Sequence, residues 1–218
     1  MQQYGKGIRK PFPYHFSNYS LILIGLNLAV YFVTLLFPQI RTWLALNPVL
    51  FVRDRFYWTA VTYMFVHGGM NHILFNMLGL FFFGPQLEER MGSLEFLTYY
   101  MVSGVLSGLF SLLVYLLTGT YMVFLMGASG ALFAVLLAFA VYFPHSVVYL
   151  FGIIPMKSTV LVLLYAGIEL FNQIFGFQGG VAHMTHLAGL FFGFLYFLIR
   201  LGTNPITAFR DSRRNPWN

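Results

Sequence analysis

Apolar residues in this chain come in long runs, cut by short clusters of Pro, Gly and charge. Six runs stand out, at about 19–37, 57–83, 94–117, 128–143, 158–176 and 182–201. Most approach the roughly 20 residues that carry an α-helix across about 30 Å of hydrocarbon. Pro38, Pro48, Pro85, Pro144 and Pro155 all fall in the predicted connections, where chain-breaking residues belong. The pattern predicts an all-α integral membrane protein with six transmembrane helices in one bundle. It divides into a tail over 1–18, a six-span unit over 19–201 and a basic tail over 202–218. No polar linker, internal repeat or low-complexity segment interrupts it, so a minimal six-span core is expected.

Composition sharpens this picture. The chain is 59% hydrophobic and 8% charged, against about 45–50% and about 25% in soluble domains. Its 26 Phe and 14 Tyr add bulk that a water-soluble fold could hardly hide. The absence of cysteine excludes disulfides, thiolate metal sites and a cysteine nucleophile. The net charge of +6 does not point to nucleic acid, because the basic residues flank the apolar runs, where they orient a membrane chain. With both termini in the cytoplasm, nine basic residues lie inside: Lys6, Arg9, Lys10, Arg90, Lys157, Arg200, Arg210, Arg213 and Arg214. Only Arg41, Arg53 and Arg55 lie outside, as the positive-inside rule requires. The expected location is a prokaryotic plasma (inner) membrane. The first run follows basic residues as a signal peptide would, but it is too long and lacks a small-residue cleavage site, so a retained anchor is expected.

Polar groups inside apolar spans are costly and by default point to function. They are His72 and Asn76 in the second run, Ser129 in the fourth, Glu169, Asn172 and Gln173 in the fifth, and His183 and His186 at the start of the sixth. Spans 2, 4 and 6 run in the same direction, so depth can be counted from their inner ends. At about 1.5 Å per residue, Ser129 and His186 each lie about 21 Å above the inner edge, with His72 and Asn76 at about 24 and 18 Å. Four polar groups on three helices thus share one level, roughly 10 Å below the outer face. The fourth span, counted from Ser129, is short and starts inside the membrane. Residues 121–126 before it would dip in as irregular backbone, which survives only where it lines a cavity or is buried in protein. Ser129 then sits among free N–H groups at a helix start, a setting that favours a developing oxyanion.

Taken together these residues resemble the rhomboid proteases. The matching elements are Gly127-Ala128-Ser129-Gly130 in span 4, His186 with Gly189 and Gly193 in span 6, and His72-Ile73-Leu74-Phe75-Asn76 in span 2. Leu87-Glu88-Glu89-Arg90-Met91-Gly92 resembles the family's turn into span 3. The resemblance covers roughly 57–200, while the first outer loop at 38–56 matches only loosely. It implies an intramembrane serine endopeptidase with Ser129 as nucleophile and His186 as general base. His72, Asn76 and the backbone around Gly127 and Ser129 would hold the oxyanion. Phe133 would stack near the histidine ring. Gly130, Gly189 and Gly193 would support the site, the last two as a G-x-x-x-G that lets span 6 approach span 4. Substrates would be single-span membrane proteins with a locally unstable helix and a small residue before the cut, cleaved near the outer boundary. No cofactor or metal is expected. Residues 176–180, rich in glycine, would form a mobile cap.

Blander readings stand beside these. Ser129 alone would more often be a packing residue, and His72, Asn76 and His186 interhelical hydrogen bonders. None of the six acids falls naturally beside His186, so a dyad suits the sequence better than a triad. Glu169 reads as a structural hydrogen-bonding group, His183 as a supporting or capping residue, and His67 as a loop or interface residue. Zinc at His72, His183 and His186 is disfavoured, because the H-E-x-x-H pattern is missing and no carboxylate has ligand spacing. A client-binding pseudoenzyme would not need both Ser129 and His186. A transporter using Glu169 as a proton relay would more often show repeat symmetry.

Overall fold

In the computed structural model, residues 12–150, 153–175 and 181–214 are described. The chain runs through α1 (Tyr19–Leu36), the short outer-loop helices α2 (Ile40–Leu44), α3 (Pro48–Val52) and α4 (Thr59–Thr62), then α5 (Met70–Met91), α6 (Ser93–Thr118) and α7 (Ser129–Tyr142). A hairpin of β1 (Val147–Leu150) and β2 (Ile154–Lys157) leads into α8 (Ser158–Phe175), α9 (Val181–Tyr196) and α10 (Pro205–Arg214). Among the described residues, four helical segments are long and apolar enough to cross a membrane: α1, α6, α8 and His183–Leu201. Their outward faces carry exposed Ile22, Phe32, Leu36, Leu163, Phe171 and Ile174, a surface that lipid suits and water does not.

The second run departs from expectation. It breaks into α4, a 3-10 turn at Tyr63–Phe65 and an extended link before α5, and Pro85 lies inside α5 rather than in a connection. Pro85 has no N–H to give the preceding turn, yet the helix continues because its last turns are clamped from outside. Buried Glu88 accepts from Tyr19 N at 2.7 Å, from Ser20 N and Ser20 Oγ at 2.8 Å each, and from Ser93 Oγ. The helix stops at Gly92, whose φ of 83° ends the regular backbone. The hairpin is also unforeseen and qualifies the all-α reading. Val147 pairs with Lys157 and Leu150 with Ile154, in a β-branched stretch too short for another helix.

At the centre sits α7, buried at every position from Gly130 to Val141. A helix apolar all round belongs inside a bundle, and α5, α6, α8 and α9 surround it. One face of α6 is a stripe of small buried residues, Ser103, Gly104, Ser107, Gly108 and Ser111, which admits close neighbours. Tyr63 Oη donates to Gly104 O at 2.6 Å. Ser111 Oγ lies 2.7 Å from Thr185 Oγ1 on α9. At the other end, buried Glu95 accepts from Tyr196 Oη at 2.5 Å and from Arg200 at 3.1 and 2.9 Å, tying α6 to the π-turn that closes α9.

Candidate active site

The approach to Ser129 is pinned before the helix begins. Residues 121–126 are irregular, as the sequence led us to expect, and Leu125 exchanges backbone hydrogen bonds with Leu46 at 3.0 and 2.9 Å. Asn47 uses its whole amide for this purpose. Its Oδ1 caps α3 by accepting from Val49 N and Leu50 N, and its Nδ2 donates to Tyr121 O and Val123 O at 3.0 and 2.8 Å. Gly127 N then donates to Tyr63 O at 2.9 Å. The backbone turns through φ 122° at Gly127, and a Cβ there would lie 2.6 Å from His72 Nε2. Only glycine meets both demands.

Ser129 opens α7, whose first i→i−4 bond runs from Leu132 N to Ala128 O. The amides of Ser129, Gly130 and Ala131 therefore have no acceptor within the helix. Ser129 Oγ lies 2.7 Å from His186 Nε2 on α9. The His186 ring stacks on Phe133, with centroids 4.5 Å apart and planes 8° from parallel. Two glycines allow this closeness: a Cβ on Gly189 would fall 2.0 Å from Gly130 O, and one on Gly193 would fall 2.6 Å from Tyr99 Oη. A short span-6-to-span-4 approach was expected from G-x-x-x-G, and α9 and α7 do meet backbone to backbone here.

His72 and Asn76 stand one turn apart on α5. With Ser129, Phe133 and His186 they line one largely apolar cavity of about 620 Å³ between α5, α7 and α8. Asn76 Nδ2 donates to His72 O at 2.7 Å, while its buried Oδ1 has no partner among the described residues. A side-chain amide carries two N–H groups, so one remains for a ligand. Gly127, expected to serve the oxyanion with its backbone, has given its N–H to Tyr63. Its contribution is instead the room it leaves for His72.

The Rhomboid domain family matches residues 54–203. The chain is 30% identical over 194 residues to Rhomboid protein 1, mitochondrial, of Saccharomyces cerevisiae, covering 85% of this chain and 55% of the yeast protein. Rhomboid protease AarA of Providencia stuartii is 28% identical over 202 residues, covering 81% of this chain and 70% of that one. RHOMBOID-like protein 1 of Arabidopsis thaliana is 33% identical over 179 residues, or 79% and 41% of the two chains. The chain belongs to the rhomboid family. It spans about half the length of the yeast relative. Family and apolar helices together make it an integral membrane protein.

This rhomboid corrects the sequence reading at Glu169. No acid was expected beside His186, but Glu169 Oε1 lies 3.0 Å from His186 Nδ1, and Oε2 bonds to His183 Nδ1. The expectation that no carboxylate has ligand spacing also fails: donor atoms of Glu169, His183 and His186 all lie within 4.8 Å of one another, and together they could hold a metal ion. Linear spacing concealed the group, because Glu169 reaches the two histidines from a different helix. The signal was available in depth. At about 1.5 Å per residue Glu169 lies about 10 Å from the outer end of its span, level with Ser129 and His186. His72 is not one of this trio, and buried His67 packs against His72 with ring centroids 5.0 Å apart. The expected mobile cap at 176–180 lies outside the described residues.

Proposed function

We propose that this rhomboid is an intramembrane serine endopeptidase with Ser129 as nucleophile and His186 as general base. The observation that carries the reading is the 2.7 Å contact between Ser129 Oγ and His186 Nε2 at the wall of an apolar cavity. A serine hydroxyl is a weak nucleophile until an adjacent base can take its proton. In the reaction Ser129 Oγ attacks the scissile carbonyl carbon as its proton passes to Nε2, and the carbonyl oxygen becomes an oxyanion. The imidazolium then protonates the departing amine. Water, deprotonated by His186, releases the acyl group, and the proton returns to Ser129. The free amide of Ser129, the second Asn76 N–H and His72 face the oxyanion, where donors aimed at developing charge act most strongly.

The chain is read as six spans, α1, α5, α6, α7, α8 and α9, with both termini on the cytoplasmic side. A basic C-terminal tail over 202–218 follows the 19–201 core, and residues 1–18 precede it. α7, at 14 residues and so about 21 Å, is too short to cross the core and starts inside the membrane. Water and substrate would meet Ser129 below the outer face. Substrates are transmembrane proteins, single-span ones first among them, with no cofactor taking part. A bacterial inner membrane suits the charge pattern.

Cleavage of a fluorescent single-span substrate by the detergent-purified chain tests the assignment. Ser129→Ala and His186→Ala are each expected to lower kcat by about 10³-fold or more, with thermal unfolding unchanged. Undiminished cleavage by Ser129→Ala would refute the nucleophile.

A further inference from the structure

Four side chains on three helices form one continuous line. Ser129 Oγ of α7 lies 2.7 Å from His186 Nε2 of α9, and His186 Nδ1 lies 3.0 Å from Glu169 Oε1 of α8. The remaining oxygen, Oε2, bonds to His183 Nδ1, one turn before His186 on the same helix. Glu169 is buried, and among the buried residues of α8 it stands with Ser158, Leu161 and Val162 as the single ionisable one.

The protonation pattern follows from valence. A neutral imidazole has one N–H and one bare nitrogen. His186 can accept the Ser129 proton at Nε2 only if its own hydrogen is on Nδ1. An ionised carboxylate accepts and never donates, so a carboxylate on Nδ1 leaves that tautomer as the bonded one. The second histidine holds the other oxygen and so fixes the rotation of the carboxyl group. Phe133, stacked face to face on the His186 ring, leaves that ring little freedom to turn.

We propose that Glu169 is a positioning residue of this site, so that the working unit is Ser129–His186–Glu169 rather than a two-residue dyad. The proposal rests on the reading of Ser129 and His186 given above. Glu169 takes no proton at any step. It orients His186 before attack and lies against the imidazolium that forms while the Ser129 proton is held on Nε2. It stays ionised when that proton passes to the leaving amine, and again when His186 takes a proton from water and returns it to Ser129.

A metal on the same three side chains would do the reverse. Bound at His186 Nδ1, it would put the ring hydrogen on Nε2, where the Ser129 proton could not be accepted. The hydrogen-bonded unit and a metal-loaded trio are therefore alternative states with opposite activity, and a chelator separates them.

The decisive comparison uses the full chain in detergent as wild type, Ser129→Ala and Glu169→Gln. It reads kcat and KM on the single-span substrate, the labelling rate of Ser129 by a fluorophosphonate, and thermal unfolding. Ser129→Ala is expected to be inactive and unlabelled. Glu169→Gln is expected to lose about 10²-fold or more in kcat, as when the acid of a serine protease triad is made an amide, with KM within about threefold and labelling slowed in parallel. EDTA is expected to leave the wild type unchanged. Cleavage by Glu169→Gln within threefold of wild type, beside a dead Ser129→Ala, overturns the role of Glu169 and leaves the nucleophile standing. Cleavage by Ser129→Ala overturns the underlying reading itself. Activity lost with EDTA and restored by zinc overturns the hydrogen-bonded unit in favour of a metal. Should Glu169→Gln fail to fold, ¹⁵N spectra of wild-type His186 decide: a proton on Nδ1 supports the proposal, and a proton on Nε2 refutes it.

Discussion

At the scale of single residues, the site depends as much on atoms that are missing as on those present. A methyl group on Gly189 would meet the Gly130 carbonyl, and backbone cannot swing aside as a flexible side-chain end can. Gly189→Ala should therefore destabilise the chain by about 1–3 kcal/mol or more, the cost of overpacking, and separate His186 from Ser129. Gly25→Ala on α1 is the control, since nothing lies within 4 Å of a Cβ there. It should be neutral or stabilising by about 0.5–1 kcal/mol. Denaturant titration in micelles, run beside the cleavage assay, separates the two. Gly127→Ala should behave differently again. Its methyl would press on His72 at a φ of 122°, so kcat should fall well before stability does. Ser129, His186, His72, Asn76 and the glycines were all legible as polar or small residues out of place in apolar runs. Glu169 was legible as a residue but not as a neighbour. A sequence read along one dimension gives depth within a helix, and it does not give which faces of two helices turn toward each other.

At the scale of elements, two polar clamps hold pieces whose own sequence would not. Asn47 joins α3 to the irregular strand leading to Ser129. Asn47→Ala removes the cap of α3, worth about 0.5–2 kcal/mol, and frees the carbonyls of Tyr121 and Val123. The expected outcome is faster proteolytic nicking within 121–126 and reduced cleavage of substrate. Glu88 joins α1 to the end of α5. In Glu88→Gln an amide nitrogen replaces one acceptor oxygen, so at least one buried donor is orphaned at about 1–3 kcal/mol. Thermal unfolding should drop while the Ser129–His186 contact, on other helices, keeps its chemistry. The same clamps explain what the run pattern missed. Pro85 was read as a break because proline usually is one, and the helix passes it because Glu88 secures the turns beyond. The second run was read as one helix because it is mostly apolar and holds no proline and no formal charge. It divides at 66–69 around Gly68 and Gly69, with the buried His67 ring turned toward His72.

At the scale of the whole molecule, the chain's lack of cysteine makes its proposed orientation easy to check. Asp54→Cys and Glu89→Cys place single thiols at exposed positions on opposite sides of the proposed bundle. In sealed inside-out and right-side-out vesicles, an impermeant maleimide should label the first only from outside and the second only from inside. Labelling of both from one side would reject the topology. The apolar runs were enough to give the order of the long apolar helices α1, α6, α8 and α9. The hairpin and the broken second run were not, since both arise from local turns in segments whose composition looks like any other span. The contact of Gly189 with Gly130 carries one last consequence, best put in the language of levers. His186 is three residues from that contact, about 4.5 Å along the axis, and Arg200 is eleven residues away, about 16 Å. If α9 rocks against α7 it must do so about this fulcrum, so a 10° swing carries Arg200 through about 3 Å and His186 through less than about 1 Å. The hinge pin sits beside the histidine, so the proton acceptor stays almost still, while any travel at the far end must first break the tie between Arg200 and Glu95.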